Sequence, residues 1–422
     1  MQKNANEYGF LPGNDARSNS QALQEAVNLG GEIVVEKPGI YDLSETIEIG
    51  DDTALTFSEG VQIRRQPSFT GRSGNVFVNK GFAKGIYNRN ISINGLHIDC
   101  NGVESADWGV DSRLVGLRAH VGMIYVRNLT VSDFECIGLL KKDYALQVCA
   151  FENICLENLF ITGDKDGVHL GWGKGFVVRN GKFCTFDDPI ALNAFDYSVS
   201  NTHVGWLEDG IIENCYDLAD DTTTGFFCRI LGGAWCDWYE GMRVQHSDTV
   251  CSCGRVYRVV MQPDGEVYTS YTKPNHTSGV REYDGINWVC VRNEPVYDCG
   301  CRNIVLRDIH LEKKRSSAVG ISLNYDDYAR SYYKGCKPVA QGDITLERIS
   351  VENDVRYMLH SNYPTENIKI IDTDLKDSKV YFQAADIDGL TYPAVDITLQ
   401  NVVRKNDSIL SDEKHSVKIT EI

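Results

Sequence analysis

The stretch Asn153-Ile-Cys-Leu-Glu-Asn-Leu-Phe-Ile161 alternates apolar and polar residues in two short runs, each opened by an asparagine. Alternation with a period of two reads as a strand that buries one side, so this stretch is two short strands joined at a polar corner. The same form occurs upstream as Asn90-Ile-Ser-Ile-Asn-Gly-Leu-His-Ile98 and Asn128-Leu-Thr-Val-Ser-Asp-Phe134. It returns downstream as Asn303-Ile-Val-Leu-Arg-Asp-Ile-His-Leu311, Asp343-Ile-Thr-Leu-Glu-Arg-Ile-Ser-Val351, Asn367-Ile-Lys-Ile370 and Asp396-Ile-Thr-Leu-Gln-Asn-Val402. Degenerate copies fill the middle at Phe176-Val-Val-Arg-Asn-Gly181 and Gly210-Ile-Ile-Glu-Asn-Cys215. The anchors fall 25 residues apart from 128 to 153, 24 from 343 to 367 and 29 from 367 to 396. No copy can bury its apolar face alone, and stacking the copies into coils solves that problem. An antiparallel sandwich is the competing arrangement, but hairpin turn signals between successive copies are mostly missing.

A stack of coils exposes an apolar end that must be covered. Ser18-Asn19 can cap a short helix carrying Ala22, Leu23, Ala26 and Val27 on one side, with Gly30-Gly31 as its stop. A strand at Glu32–Glu36 and the Pro38-Gly39 turn follow. The run Asn19–Leu43, with its helix, Gly-Gly-Glu-Ile-Val-Val and Pro-Gly-Ile-Tyr-Asp-Leu, resembles the opening of pectate-lyase-superfamily right-handed β-helix proteins. In its central coils the chain is similar to glycoside hydrolase family 28, the polygalacturonase-type branch. The expected fold is therefore all-β: a single-stranded right-handed parallel β-helix with a short N-terminal capping helix. The expected divisions are 1–45 for the cap and first strands, 46–233 for coils carrying the site, 288–405 for the C-terminal coils and 406–422 for a tail. Residues 234–287 break the repeat and read as an inserted β subdomain, with a hairpin from Arg255 to Tyr271 turning at Pro263-Asp264-Gly265.

Asp166 stands 21 and 22 residues before Asp187 and Asp188, about one coil, in the similar segments Asp166-Gly-Val-His-Leu170 and Asp187-Asp-Pro-Ile-Ala-Leu-Asn193. Residues one coil apart sit about 4.8 Å apart on neighbouring strands, so this interval gathers three carboxylates on one outer face. Taken singly, Asp-Gly and Asp-Asp are ordinary turn residues. Together, each leading into an alternating strand, they point to acid/base cleavage of a sugar chain. Three close carboxylates cannot all ionise, so at least one pKa is expected to rise. A separation of roughly 6.5–9.5 Å between two of them would predict inversion. If Val168, Leu170, Ile190 and Leu192 point inward, His169 and Asn193 face outward beside the carboxylates as substrate contacts.

The resemblance implies roles: Asp187 as the general acid, with Asp166 and Asp188 activating water. The family's Asn-Thr-Asp-Gly appears here as Asp164-Lys165-Asp166-Gly167. No Gly-His-Gly is present, and His203 is the nearest downstream histidine. The family's Arg-Ile-Lys corresponds to Arg229, in Cys-Arg-Ile-Leu, or to Arg243, in Gly-Met-Arg-Val, with no lysine in either. Arg229 is preferred because Phe227–Ile230 reads as the next strand along the wall. Trp172 follows the Asp166 strand, where an indole could stack on a sugar, and Trp206, Trp235 and Trp238 lie near the proposed groove in sequence.

A net charge of −17 and a pI near 5.0 argue against a nucleic-acid partner. No apolar run is long enough to span a bilayer and the amino end has no hydrophobic signal core, so the expected location is cytoplasmic, with no membrane partner. Of the fourteen cysteines, those at strand positions inside repeat units, Cys155, Cys184 and Cys215, read in that compartment as small buried hydrophobes stacked in a ladder. The pairs Cys251-Ser-Cys253 and Cys299-Gly-Cys301 lack the usual zinc spacing. The expectation is a glycosidase acting on an oligosaccharide or polysaccharide, with no metal or organic cofactor. Its alternatives are a lyase using Arg229 as base and the three aspartates to hold Ca²⁺, and a non-catalytic carbohydrate-binding β-helix.

Overall fold

A computed structural model describes residues 2–66, 75–103, 116–198, 200–220, 224–353, 355–387 and 389–422. The repeats stack as expected. One 25-stranded sheet, parallel throughout, winds from Lys3 to Glu421, and each coil pairs with the next in register. On one wall the inward ladder runs Leu146, Val168, Ile190, Cys228, Val319, Leu359 and Val380, all buried. Fully burying each branched aliphatic side chain contributes about 1.5–3 kcal/mol, and the stack repeats this on every coil.

The repeat's asparagines and aspartates have a specific task. Asn128 and Asp133, Asn153 and Asn158, Asn303 and Asp308, and Asn367 and Asp372 all have φ between 47° and 58°. These are the corners, where the left-handed conformation turns the chain between walls and where Asn and Asp are the best-tolerated residues after Gly. Their side chains also bond along the stack: Asn158 donates to Asp133 at 2.9 Å, Asn180 to Asn158 at 2.9 Å and Asn214 to Asn180 at 2.8 Å.

The N-terminal cap is the helix Ala16–Asn28, whose Ala22, Leu23, Ala26 and Val27 close the apolar end. Its cap residue is Asp15 rather than Ser18 or Asn19: Asp15 accepts from the Ser18 backbone N–H at 2.9 Å. Ser18 instead sits inside the first turn and donates its hydroxyl to Asp15 at 2.6 Å.

The insertion leaves the helix after Leu231 and returns at Cys301, so it runs past the expected end at residue 287. Its hairpins are not the expected one. Arg255–Val259 pairs antiparallel with Thr249–Ser252 and Ile286–Arg292, while Tyr268–Ser270 pairs with Met242–Val244. The tight turns are Cys253-Gly254 (φ 50° and 72°) and Asp284-Gly285 (φ 55° and 75°). Two successive positive φ values match the twist of a two-residue hairpin, which Pro263 with its fixed negative φ does not supply. Buried Arg258 docks the insertion onto the coils by donating to the Asn201 carbonyl at 3.2 Å and lying over the Phe195 ring.

Of the three cysteines expected to stack inside, only Cys215 is buried. Cys155 and Cys184 are half-buried on the outward side of strands whose inward residues are Ile154, Leu156, Phe183 and Thr185. Among the described residues Cys251, Cys253, Cys299 and Cys301 form no metal-ligating group, and no helix is long and apolar enough to cross a membrane.

Candidate active site

Strand register builds the site. Val168↔Ile190↔Cys228 are inward partners, so the outward positions His169, Ala191 and Arg229 align on adjacent rungs. The corner before each strand carries the acids, and the Gly167 N–H donates to the Asp188 carbonyl at 3.0 Å. One oxygen from each of Asp166, Asp187 and Asp188 lies within 4.8 Å of the others. The condition for inversion, roughly 6.5–9.5 Å between two carboxyls, is not met by these oxygens, so the spacing gives no argument for it. The cation among them is a lysine ammonium: Lys165 pairs with Asp187 and lies 3.3 Å from Asp166. Arg229 stands 3.8 Å from Asp188.

Exposure separates the three acids. The Asp187 side chain is 26% exposed, whereas those of Asp166 and Asp188 are 3% and 1%. Burial, then the charges of Asp187 and Asp166, push the Asp188 carboxyl up to about 8. Burial and Asp166 also raise Asp187, against the pull of Lys165. Burial acts to raise Asp166 too, but Lys165 and the His169 hydrogen bond win and hold it below the usual carboxylate range. The three acids share Lys165 and Arg229 with buried Asp196, so negative charge is in excess in a desolvated place. The trio therefore titrates as a unit that retains one proton near neutrality, centred on Asp188.

Backbone geometry explains why the corner holds this shape. Asp188 accepts from the Phe226 N–H at 2.6 Å, an approach that Gly225 permits. At Gly225 φ is 70°, and a Cβ there would stand 2.4 Å from Asp188 Oδ1 and 3.1 Å from Asp187 Oδ1. Gly225→Ala is expected to destabilise by about 1–3 kcal/mol through the left-handed backbone alone. It should also displace Asp188; a thermal melt and a turnover assay on the variant check both, and an unchanged pair of values would refute the contact.

The remaining expected residues divide. His169 and Asn193 face outward as expected but are completely buried. His169 Nδ1 lies 3.1 Å from Asp166, its ring stacks on Tyr144 at 4.2 Å, and its Nε2 is 4.0 Å from Asp196. Asn193 donates to Asp196 at 2.8 Å. His169 thus holds Asp166 and Asn193 holds Asp196, and neither side chain has surface open to solvent. Arg229 is brought to the site. His203 and Trp172 are not: their ring centroids lie 6.4 Å apart, with His203 lining a separate cavity and Trp172 packed against the cluster of Phe82, Ile124 and Cys149. Arg243 is exposed in the insertion, where its carbonyl accepts from Tyr333. Lys165, Asp196, Tyr144 and Arg315 enter the site without having been singled out as site residues. Lys165 carried a signal, since it replaces the threonine of the family motif.

No family model matches the sequence, and no curated protein matches it at significant similarity. Solved structures do. The polygalacturonase from Erwinia carotovora ssp. carotovora superposes with a TM-score of 0.54 at 12% identity, covering 97% of this chain and 95% of that one. A family 28 exopolygalacturonase from Yersinia enterocolitica gives 0.54 at 13% identity, covering 99% of this chain and 78% of that one. The N-terminal fragment of gene product 12 of bacteriophage phi29 gives 0.50 at 13% identity over 99% of this chain and 65% of its own. The class is thus fixed: the protein is a right-handed parallel β-helix of the pectate-lyase type. More particularly, its fold resembles that of family 28 polygalacturonases.

Proposed function

We propose that this protein is a glycoside hydrolase that cleaves a saccharide chain at Asp166, Asp187 and Asp188. The fold does not choose between catalysis and binding, because enzymes and a phage protein share it. The supporting observation is the division of the three acids into one exposed, one held ionised and one that keeps a proton near neutrality. A set of turn residues would have no cause to be desolvated and tuned apart. In this reading Asp187 meets the leaving oxygen as general acid, drawing on the proton shared with Asp188, and Asp166 orients and deprotonates water. Single displacement is favoured because no carboxylate is both exposed and unclasped, as a nucleophile at the anomeric carbon would need to be. Arg229 serves the lyase reading poorly as a base, since burial is outweighed there by Asp196 and Asp188, which hold the guanidinium protonated.

Incubation with a panel of pectic, host-glycan and algal oligosaccharides, with and without EDTA, tests the proposal. New reducing ends that form despite EDTA support hydrolysis, and proton NMR of the first product reads its anomeric configuration. An unsaturated uronate lost on chelation, or silence from every substrate, would defeat it. Turnover should stay level toward neutrality and decline as pH rises through about 8, because a group with a raised pKa loses its acid form there. A profile still rising at pH 9 would remove the shared proton from the mechanism.

A further inference from the structure

The wall that carries the acids is closed on one side of them and open on the other. Register fixes the order of its outward residues. Toward the amino end they run through Ala191 and His169 to Gln147, all completely buried. Toward the carboxyl end they run from Arg229 through Gly320 and His360 to Tyr381. There the Arg229 side chain keeps 22% exposure, and His360 and Tyr381 are half-buried.

The closed side is bonded shut. Gln147 Nε2 donates to the Gly116 and Ser200 carbonyls at 2.8 and 3.1 Å, and Arg118 Nη1 donates to the Tyr197 hydroxyl at 2.6 Å. The Tyr144 hydroxyl, above the His169 ring, bonds that of Ser200. Gln147, Arg118, Tyr144 and Ser200 are all buried, so lifting this tier to admit a chain would strip buried polar groups of their partners. The open side has a different make-up. Next to Arg229 the Phe226 ring packs over Gly320, where a Cβ would stand 2.5 Å from it. The rings of His360 and Tyr381 follow, 5.6 Å apart, with Tyr357 stacked on Tyr381 at 5.6 Å. From Arg229 to Tyr381 is three rungs, about 14 Å, which is longer than one sugar unit. Half-buried rings with polar tips suit a sugar, which has an apolar ring face and a rim of hydroxyls.

We propose that the protein trims a saccharide chain one terminal unit at a time, with that unit seated against the closed tier and the rest of the chain running out over Phe226, His360 and Tyr381. That it cleaves at all rests on the glycosidase reading; that the wall is one-sided does not. Asp166, on the coil nearer the closed tier, activates the water, and Asp187, one coil nearer the open side, protonates the leaving oxygen. The bond broken is therefore from C1 of the seated unit to the leaving oxygen, water's oxygen joins C1, and the unit released is the non-reducing end. Hexasaccharides from the pectic, host-glycan and algal panel, tagged with a fluorophore at the reducing end, decide it when products are separated early in turnover. Tagged pentasaccharide should appear first and alone, beside untagged monosaccharide. Tagged di-, tri- and tetrasaccharides at that stage would overturn the closed wall and leave the hydrolase standing, and tagged monosaccharide would overturn the orientation. Cleavage of no member of the panel would defeat the enzyme itself. Tyr381 is a positioning residue for the departing chain. Tyr381→Phe, which keeps the ring stack, and Tyr381→Ala should each raise KM for the hexasaccharide at least threefold relative to KM for the disaccharide, with kcat changing less. An equal effect on both lengths, or none on either, removes Tyr381 from the path of the chain.

Discussion

Asp187→Asn is expected to slow cleavage of an unactivated saccharide by about 10²–10⁴-fold, the usual worth of a positioned general acid. It should cost far less on a dinitrophenyl glycoside, whose leaving group departs without a proton. The contrast follows from exposure and charge together. Asp187 is the one member of the trio with a solvent-facing side chain, so it alone can reach a glycosidic oxygen. In the proposed mechanism Asp166, held ionised by Lys165 and His169, has the opposite task. Asp166→Asn should therefore fail on both substrates, because water must still be activated when the leaving group needs no help. Asp188 carries the highest pKa of the three yet is buried, so Asp188→Asn should move the alkaline limb of the pH profile more than it separates the two substrates. Should Asp188→Asn, and not Asp187→Asn, keep its activity on the activated substrate alone, the acid role passes to Asp188.

The coils were legible because their determinants are local. Alternation sets which side of a strand is buried, and an asparagine at a fixed offset marks a left-handed corner such as Asn153 or Asn303. The one-coil interval that juxtaposes Asp166 with Asp188 is likewise readable, since in a solenoid sequence separation converts directly into a neighbouring rung. The insertion obeys no such rule. Its pairing depends on which of several turns forms: Asp264-Gly265 and Asp284-Gly285 carry the same dipeptide signal, and only the second joins two paired strands. Depth was also hidden. Parity placed His169 and Asn193 on the outer wall, but whether outward means exposed depends on Asp196, Tyr144 and the loop above, which are brought there by the fold. His203 and Trp172 lie close in sequence to the acids and still pack against each other away from them, because a corner separates their face from the wall.

The least legible participant is Arg315, and its removal should have a large effect. It lies 128 residues beyond Asp187, buried under the corner that carries the acids, where its Nη1 donates to the Asp187 carbonyl at 3.2 Å. The same guanidinium donates to the Thr185 carbonyl at 3.0 Å and to the Thr224 carbonyl. It grips buried Asp217 with two bonds, at 2.6 and 3.0 Å. One side chain thus ties the turn that carries Asp187 and Asp188 to the loop that leads into Gly225 and Phe226. Arg315→Met keeps the apolar stem but removes both bonds to the Asp217 carboxylate and the donor of the Thr224 carbonyl, while the Thr185 carbonyl keeps Lys313 at 2.7 Å and the Asp187 carbonyl keeps the Thr185 hydroxyl at 2.9 Å. Breaking a buried pair from one side costs about 3–5 kcal/mol. A fall in Tm of roughly 5–10 °C is expected from that loss. Activity should drop about 10²-fold beyond what unfolding explains, as a shift near 1 Å in the acids would cause. The double variant Arg315→Met, Asp217→Asn separates the two effects. Neutralising Asp217 relieves its desolvated charge and should recover much of the Tm, but it does not restore the guanidinium that ties the Asp187 carbonyl to the Thr224 carbonyl, so turnover should remain low. Recovery of both together would reduce Arg315 to a stability residue, and an unchanged Tm in the single variant would contradict the buried pair itself.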